Sequence, residues 1–374
     1  MLAALASATL AAPSFAGGHG SNLVMTGEIV VGMEYNSETP DGGDTTTVQR
    51  TYIGDVNAKL TSAVSDTASY AFEFLKDDEK AGKVSFEATG TATSGDNSIK
   101  AFADFSDITG TVGYGDVYLQ GGNKSITVKV GKFGLSENYA NGLGYFRASS
   151  LGIGNIEHIL IEDTNNGFRG LQINVGAGDI EVEAAVPWMS IAAASCTKDE
   201  DYCVKEDVVG GGYKDTNVTG IRPTIKAKLG AANISATLYA LSFSAQTSDT
   251  DTVDKSDNAF QLMGSVGTGA ATVGLGYTSR TRTNGDVDST PSTLNGYVKV
   301  GLGGGQNVGA SFDILGDGEE NDEAKATRIS ASYDTPFFVE AITLKLGVGT
   351  STINSDKSTA GSGSGLEAEW VYNF

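Results

Sequence analysis

Lysine and arginine recur at alternate positions in several stretches of the chain. In "GIRPTIKAKLG", Arg222, Lys226 and Lys228 share one side while Ile221, Ile225, Ala227 and Leu229 take the other. In "VGLGYTSRTRT", Arg280 and Arg282 stand opposite Val273, Leu275 and Tyr277. Lys129, Lys299, Arg328 and Lys345 repeat the pattern elsewhere. The segment 134–167, "GLSENYANGLGYFRASSLGIGNIEHILIEDTNNG", carries Glu137, Glu157, Glu162 and Asp163. Bases facing carboxylates across water set up a transverse field, which orients polar solutes, and rings of charge bias ion choice.

Covalent chemistry has far less to work with. His19 and His158 are the only histidines, and no H-E-x-x-H, G-x-S-x-G, Walker or C-x-x-C motif occurs. The glycine-rich "GLGGG" falls at an expected tight turn rather than between a strand and a helix, which makes it a poor phosphate cradle. Glu367 and Glu369 lie one strand period apart, a spacing that a polar lining has anyway. The residues therefore predict no enzyme, no cofactor and no metal centre.

The bulk charge narrows the partners. Among 374 residues, 25 Lys and Arg meet 46 Asp and Glu, a net charge of −21. That balance argues against nucleic acid, whose phosphates require basic patches. The acidic stretches "GDGEENDE" and "SDTDTVDKSD" could attract divalent cations near lipopolysaccharide, but neither matches a calcium-binding loop, and a solvated surface is the expected reading. Cys196 and Cys203, in the polar "SCTKDEDYC", suit a local disulfide in an oxidising compartment and lack nearby histidines for zinc. The opening "MLAALASATLAAPSFA" is an apolar run ending in small residues, Ser14 and Ala16. It predicts a signal peptide over 1–16, lacking the usual basic start, and a single domain over 17–374.

The elements that must position these charges read as strands. Period-two alternation dominates after residue 20, as in Ile29, Val31, Met33 and Tyr35, or Ile126, Val128 and Val130, or Leu171, Ile173 and Val175. Helical periodicity is nearly absent outside 134–167 and the leader. Going back from the C-terminus, connections alternate between long and tight: "TINSDKSTAGSGSG", then "DTPFFVE", then "GDGEENDEAK", "GGGQ", "TNGDVDSTPS" and "GTGA". This is an antiparallel meander with its long loops at one end. Many runs reach about 9–11 residues, the span of a tilted strand across a bilayer, against about 5–6 in soluble sheets. Lipid leaves no backbone group unpaired, so such strands close into a barrel, apolar outside and polar within. The terminal "GLEAEWVYNF" fits that reading. Trp370, Tyr372 and Phe374 point towards lipid, Glu367 and Glu369 point inward, and the last strand pairs with the first near 23–35. The expected fold is all-β, an antiparallel transmembrane barrel of about 16 strands, with a tally of 16–18.

These features resemble the general porins of Gram-negative outer membranes. "SITVKVGKFG" at 125–134 is similar to the porin strand that precedes the pore-constricting loop, and "NNGFRGLQINV" at 165–175 to the strand that leaves it. The acidic Pro-Glu-Phe-Gly motif of enterobacterial constriction loops is absent. The resemblance implies a homotrimer of sixteen-stranded barrels in the outer membrane, passing ions and small hydrophilic solutes. It implies a terminal signal, Trp370, Tyr372 and Phe374, read by the barrel-assembly machinery. It also implies that 134–167 folds inward and brings Glu137, Arg147, Glu157, Glu162 and Asp163 opposite Lys129, Arg222, Lys226, Lys228, Arg280, Arg282 and Arg328. A substrate-selective porin for sugars or anions, and a plugged structural or adhesive barrel, are the alternatives.

Overall fold

The computed structural model describes residues 23–65, 67–77, 83–106, 113–135, 168–187, 190–192, 215–246, 252–284, 287–290, 292–316, 325–354 and 361–373. All regular structure in them is extended. The first strands are β1 (Leu23–Pro40), β2 (Thr46–Ser65), β3 (Ala68–Asp77), β4 (Lys83–Ser94), β5 (Asn97–Ser106), β6 (Gly113–Gly122) and β7 (Ile126–Phe133). There follow β8 (Phe168–Ala177), β9 (Ile180–Pro187), β10 (Ser190–Ala192), β11 (Asp215–Leu229), β12 (Ala232–Gln246), β13 (Thr252–Thr268) and β14 (Ala271–Asn284). The last are β15 (Val287–Ser289), β16 (Ser292–Gly303), β17 (Gln306–Gly316), β18 (Lys325–Phe337), β19 (Val339–Asn354) and β20 (Gly361–Asn373).

Every pairing is antiparallel, and each strand pairs with its neighbours in sequence. Two short strands only extend a stave: β10 continues β9 along β11, and β15 continues β16 along β14, each in unbroken register. The twenty strands therefore make eighteen staves among the described residues. That is the upper end of the sequence tally and two more than the resemblance implies. Part of the difference lies in "GKVSFEATGTATSGDNSIKAFADF", which forms the hairpin β4–β5 about Gly95, at φ 59°.

The ring closes where β20 meets β1, from Glu28 opposite Asn373 to Pro40 opposite Gly361. Closure removes both sheet edges, so no row of backbone donors is left for another chain. At one end the turns are tight, and two-residue turns begin on glycines such as Gly230 and Gly269, at φ 64° and 67°. A left-handed first turn residue matches the twist of the flanking strands and suits glycine. One connection is shorter than expected. "DTPFFVE" is mostly strand, because β18 runs into Phe337 and a single left-handed residue, Phe338 at φ 61°, turns it into β19.

Side chains on each strand alternate between two environments. Leu119, Ile225, Leu238, Leu275, Ile329 and Leu366 stand on the outer surface, each more than half exposed. Their inward neighbours Gln172, Glu183, Thr224, Thr237, Ser330, Ser351 and Glu367 are buried. This inverts a water-soluble protein, in which large apolar side chains are the ones withdrawn from the surface. At the tight-turn end, Phe337 packs against Phe338 at 4.3 Å and Trp370 at 6.5 Å between ring centroids, an aromatic cluster of the kind found where barrels meet a lipid headgroup layer.

Candidate functional site: the charged inner wall

The inner wall carries the charge, and its acids and bases are unevenly placed. On the β9–β11 side, Arg222 is wholly buried and its Nη1 donates to Glu183 Oε1 at 3.1 Å. Lys226, two inward positions along, lies 3.7 Å from Glu181 and 3.8 Å from Glu183. Thr224 and Thr237 bridge β11 to β12 through their hydroxyls at 3.0 Å. Arg280 lies on β14 opposite Ala259, which in turn lies opposite Tyr239, and is 2% exposed. Further round, Arg328 Nε donates to Asp313 Oδ2 at 3.1 Å, the two residues lying directly opposite across β17–β18.

The other predicted bases divide. Lys299 lies half-buried on the inward row of β16, opposite Thr272 and Gly309. Lys228 has inward parity, but it is exposed at the tight-turn end, where its N–H donates to the Asp179 carbonyl at 2.8 Å. Arg282 is paired through its backbone with Asp257 and Ser289. Lys345 occupies β19 between Asp334 and Glu369 in register.

The seam where the barrel closes is built differently. Tyr52 Oη donates to Glu367 and lies 3.0 Å from Glu369 Oε1. Arg50 Nε donates to Glu34, and its guanidinium lies 5.7 Å from the Tyr52 ring centroid. Glu34 and Glu367 are register partners across β1–β20. The phenol reaches two strands away because position 32 is glycine: a Cβ there would fall 2.3 Å from Tyr52 Cζ, so the ring lies across the bare backbone of β1. One hydroxyl has a single proton to donate, so it satisfies one of the two carboxylates at a time. In the ring of eighteen staves, β1 and β11 are nine apart in either direction. The three glutamates of the seam thus face the Arg222–Lys226 group across the full width of the barrel.

Between these arcs lies a patch of rings. Phe102 on β5 stacks on Tyr118 of β6 at 5.2 Å, and Tyr118 meets Phe133 of β7 edge-on at 6.2 Å. Lys129, a predicted wall residue, sits over Tyr118 and Phe133 at 4.8 and 4.9 Å from their centroids. Several inward polar atoms, including Gln172 Oε1, Asn174 Oδ1 and Thr293 Oγ1, have no hydrogen-bond partner among the described residues. Such a lining is satisfied by water.

Sequence reading did not single out Glu34, Tyr52, Lys100, Tyr118, Glu183 or Asp313. The parity that marks the bases applies equally to "DIEVEAAV", where Glu181 and Glu183 oppose Ile180, Val182 and Val186, and would have found that pair. Glu137, Arg147, Glu157, Glu162 and Asp163 lie outside the described residues, as do Cys196, Cys203, Phe374 and residues 1–16. Trp370 and Tyr372 are described, on the same outward parity of β20 as Leu366.

No protein-family model matches the chain, and no curated protein matches it. Solved structures do match, over nearly its whole length. The anion-selective porin from Comamonas acidovorans aligns with a TM-score of 0.57 over 95% of this chain and 100% of its own, at 11% identity. The fold is the porin fold. The outer-membrane channel DcaP of Acinetobacter baumannii gives 0.57 over 96% and 99% at 12% identity. The in-vitro folded trimer form of OmpT, an outer-membrane protein of Vibrio cholerae, gives 0.50 over 95% and 100% at 10% identity. What these porin-fold proteins share with the chain is architecture, since nearly nine residues in ten differ.

Proposed function

We propose that the chain is a channel of the Gram-negative outer membrane through which ions and small hydrophilic solutes diffuse passively. One observation carries the reading: a closed ring of eighteen staves with ion pairs and unpartnered amides inside and exposed Leu, Ile and Val outside. Lipid accepts such an exterior, and barrels of this size hold an aqueous channel. The reading assigns the chain no catalytic step.

Within it, 134–167 is the constriction loop, and its Glu137, Glu157, Glu162, Asp163 and Arg147 meet the wall near Arg222, Lys226, Arg280 and Arg328. The acidic seam adds a second source of field on the wall itself. Trp370, Tyr372 and Phe374 form the signal for the barrel-assembly machinery, and the acidic outer loops face lipopolysaccharide. A homotrimer is supported by the trimer form of the Vibrio cholerae protein. Recording from the purified, detergent-folded chain in planar bilayers tests the function. Discrete conductance steps that grow with salt are expected, and a folded barrel that yields none overturns the reading. A solute-selective channel is the second reading, favoured by the rings of β5–β7.

A further inference from the structure

The lining of β5–β7 departs from the rest of the inner wall in how it treats its bases. Lys59, Arg222, Lys226 and Arg328 each have a carboxylate within ion-pair distance. Among the described residues Lys100 and Lys129 have none, and both rest on rings instead. Lys100 Nζ lies 5.3 Å from the Phe102 centroid and 5.7 Å from that of Tyr118. Lys129 Nζ lies 4.8 Å from the same Tyr118 centroid, so two ammonium groups gather at one phenol ring. A ring face holds a cation in place without neutralising it. Lys100, Gln120, Lys129 and Gln172 are consecutive partners along one hydrogen-bonded row, so one side-chain amide lies between the two lysines and another just beyond Lys129.

Asp116 and Glu183 act on Lys129 only from beyond ion-pair distance, so at contact range two like charges beside one ring favour an anion from solution. A neutral sugar gains nothing from that charge, and a cation is repelled by it. Phe102 and Tyr118 add a half-buried, stacked aromatic surface, which a halide cannot use and a flat organic body can. We propose that β5–β7 form a binding step for small aromatic carboxylates. Lys100 and Lys129 hold the carboxylate, while Phe102 and Tyr118 contact the ring. This rests on the channel reading and names a solute class for it.

Single-channel recording with benzoate, acetate and benzamide added in turn tests the assignment. Benzoate interrupts the current at a concentration about tenfold or more below acetate, and benzamide leaves it untouched. Lys100→Gln combined with Lys129→Gln brings benzoate to the acetate level, and Phe102→Leu with Tyr118→Leu narrows the gap between the two acids. Equal sensitivity of the unaltered channel to benzoate and acetate overturns the proposal, whether or not the variants fold. So does benzoate block that survives the double lysine change. A folded protein that never conducts overturns the channel reading, and this proposal with it. One that conducts without distinguishing the two acids overturns this proposal alone.

Discussion

The two charged arcs of the wall, facing each other nine staves apart, neutralise their charges in opposite ways. On the β9–β11 arc, base and acid are sealed together: the side chains of Arg222 and Glu183 are 1% and 2% exposed. On the β20–β1–β2 seam the acids Glu34 and Glu367 are equally buried, but with Glu369 they gather around one phenol and an arginine whose side chain is 51% exposed. A sealed pair has little charge left to project and depends on its geometry. Three carboxylates gathered beside one half-exposed arginine keep more of theirs. The first arc should therefore be felt mainly in stability and the second mainly in ion choice.

The sharpest way to break that comparison is to open the sealed pair. Arg222→Met leaves Glu183 buried in the wall with Lys226 3.8 Å away. Removing one partner of a buried ion pair costs about 3–5 kcal/mol. Thermal or urea unfolding of the detergent-folded barrel measures it. Arg222→Met with Glu183→Leu should recover most of the loss, since apolar residues often replace such a pair at little cost. A single variant as stable as the parent would show that this arc is no more rigid than the seam.

Next in size is Tyr52→Phe, which removes the donor shared by Glu367 and Glu369. Leaving a buried acceptor short of its partner costs about 1–3 kcal/mol. Gly32→Leu should reproduce much of that loss, because its side chain must displace the ring lying across β1. If Gly32→Leu were harmless while Tyr52→Phe was not, the close approach would be incidental to the hydrogen bonds.

How far these features could be read from sequence depends on the distance over which they are made. Alternation along a strand is local, so the inward parity of Arg222, Arg280 and Arg328 and the outward parity of Ile225, Leu275 and Ile329 were legible. Tight turns were legible from their glycines. The Tyr52–Glu367 contact joins residues 315 positions apart and exists only because the first and last strands close the ring. Closure itself could be inferred, but the register that sets Glu34 against Glu367 could not. The length of the β18–β19 connection was overread for a physical reason too: "DTPFFVE" has the composition of a connection, and only the left-handed Phe338 lets both strands run nearly through it. Glu367 and Glu369 were legible as inward, but Glu34, Glu183 and Asp313 went unread because the abundance of acid in the loops suggested that most carboxylates lay there.

The two arcs should also differ in the sign of their effect on ions. Glu367→Gln with Glu369→Gln should shift the reversal potential in a salt gradient towards anions, and Lys226→Gln with Arg280→Gln towards cations. A wall charge acting on an ion a few ångströms away in water is worth about 1 kcal/mol, roughly fivefold in permeability ratio. The seam change should be the larger, because three carboxylates gather there and the arginine beside them, Arg50, is half exposed. Equal and opposite shifts would mean that the β9–β14 arc projects as much field as the seam.

The smallest effect tests whether arc or depth decides the outcome. Glu181 and Glu183 lie two positions apart on β9 and both approach Lys226, but their side chains are 46% and 2% exposed. Glu181→Gln should cost no more than about 1 kcal/mol, the usual value of an exposed pair. That difference should fade as salt shortens the screening length to about 3 Å near 1 M. Glu183→Gln leaves Arg222 buried without its counter-charge and should cost several times more at any salt concentration. If the two substitutions proved equal, burial would not distinguish them, and the contrast between a sealed arc and an open seam would lose its physical basis.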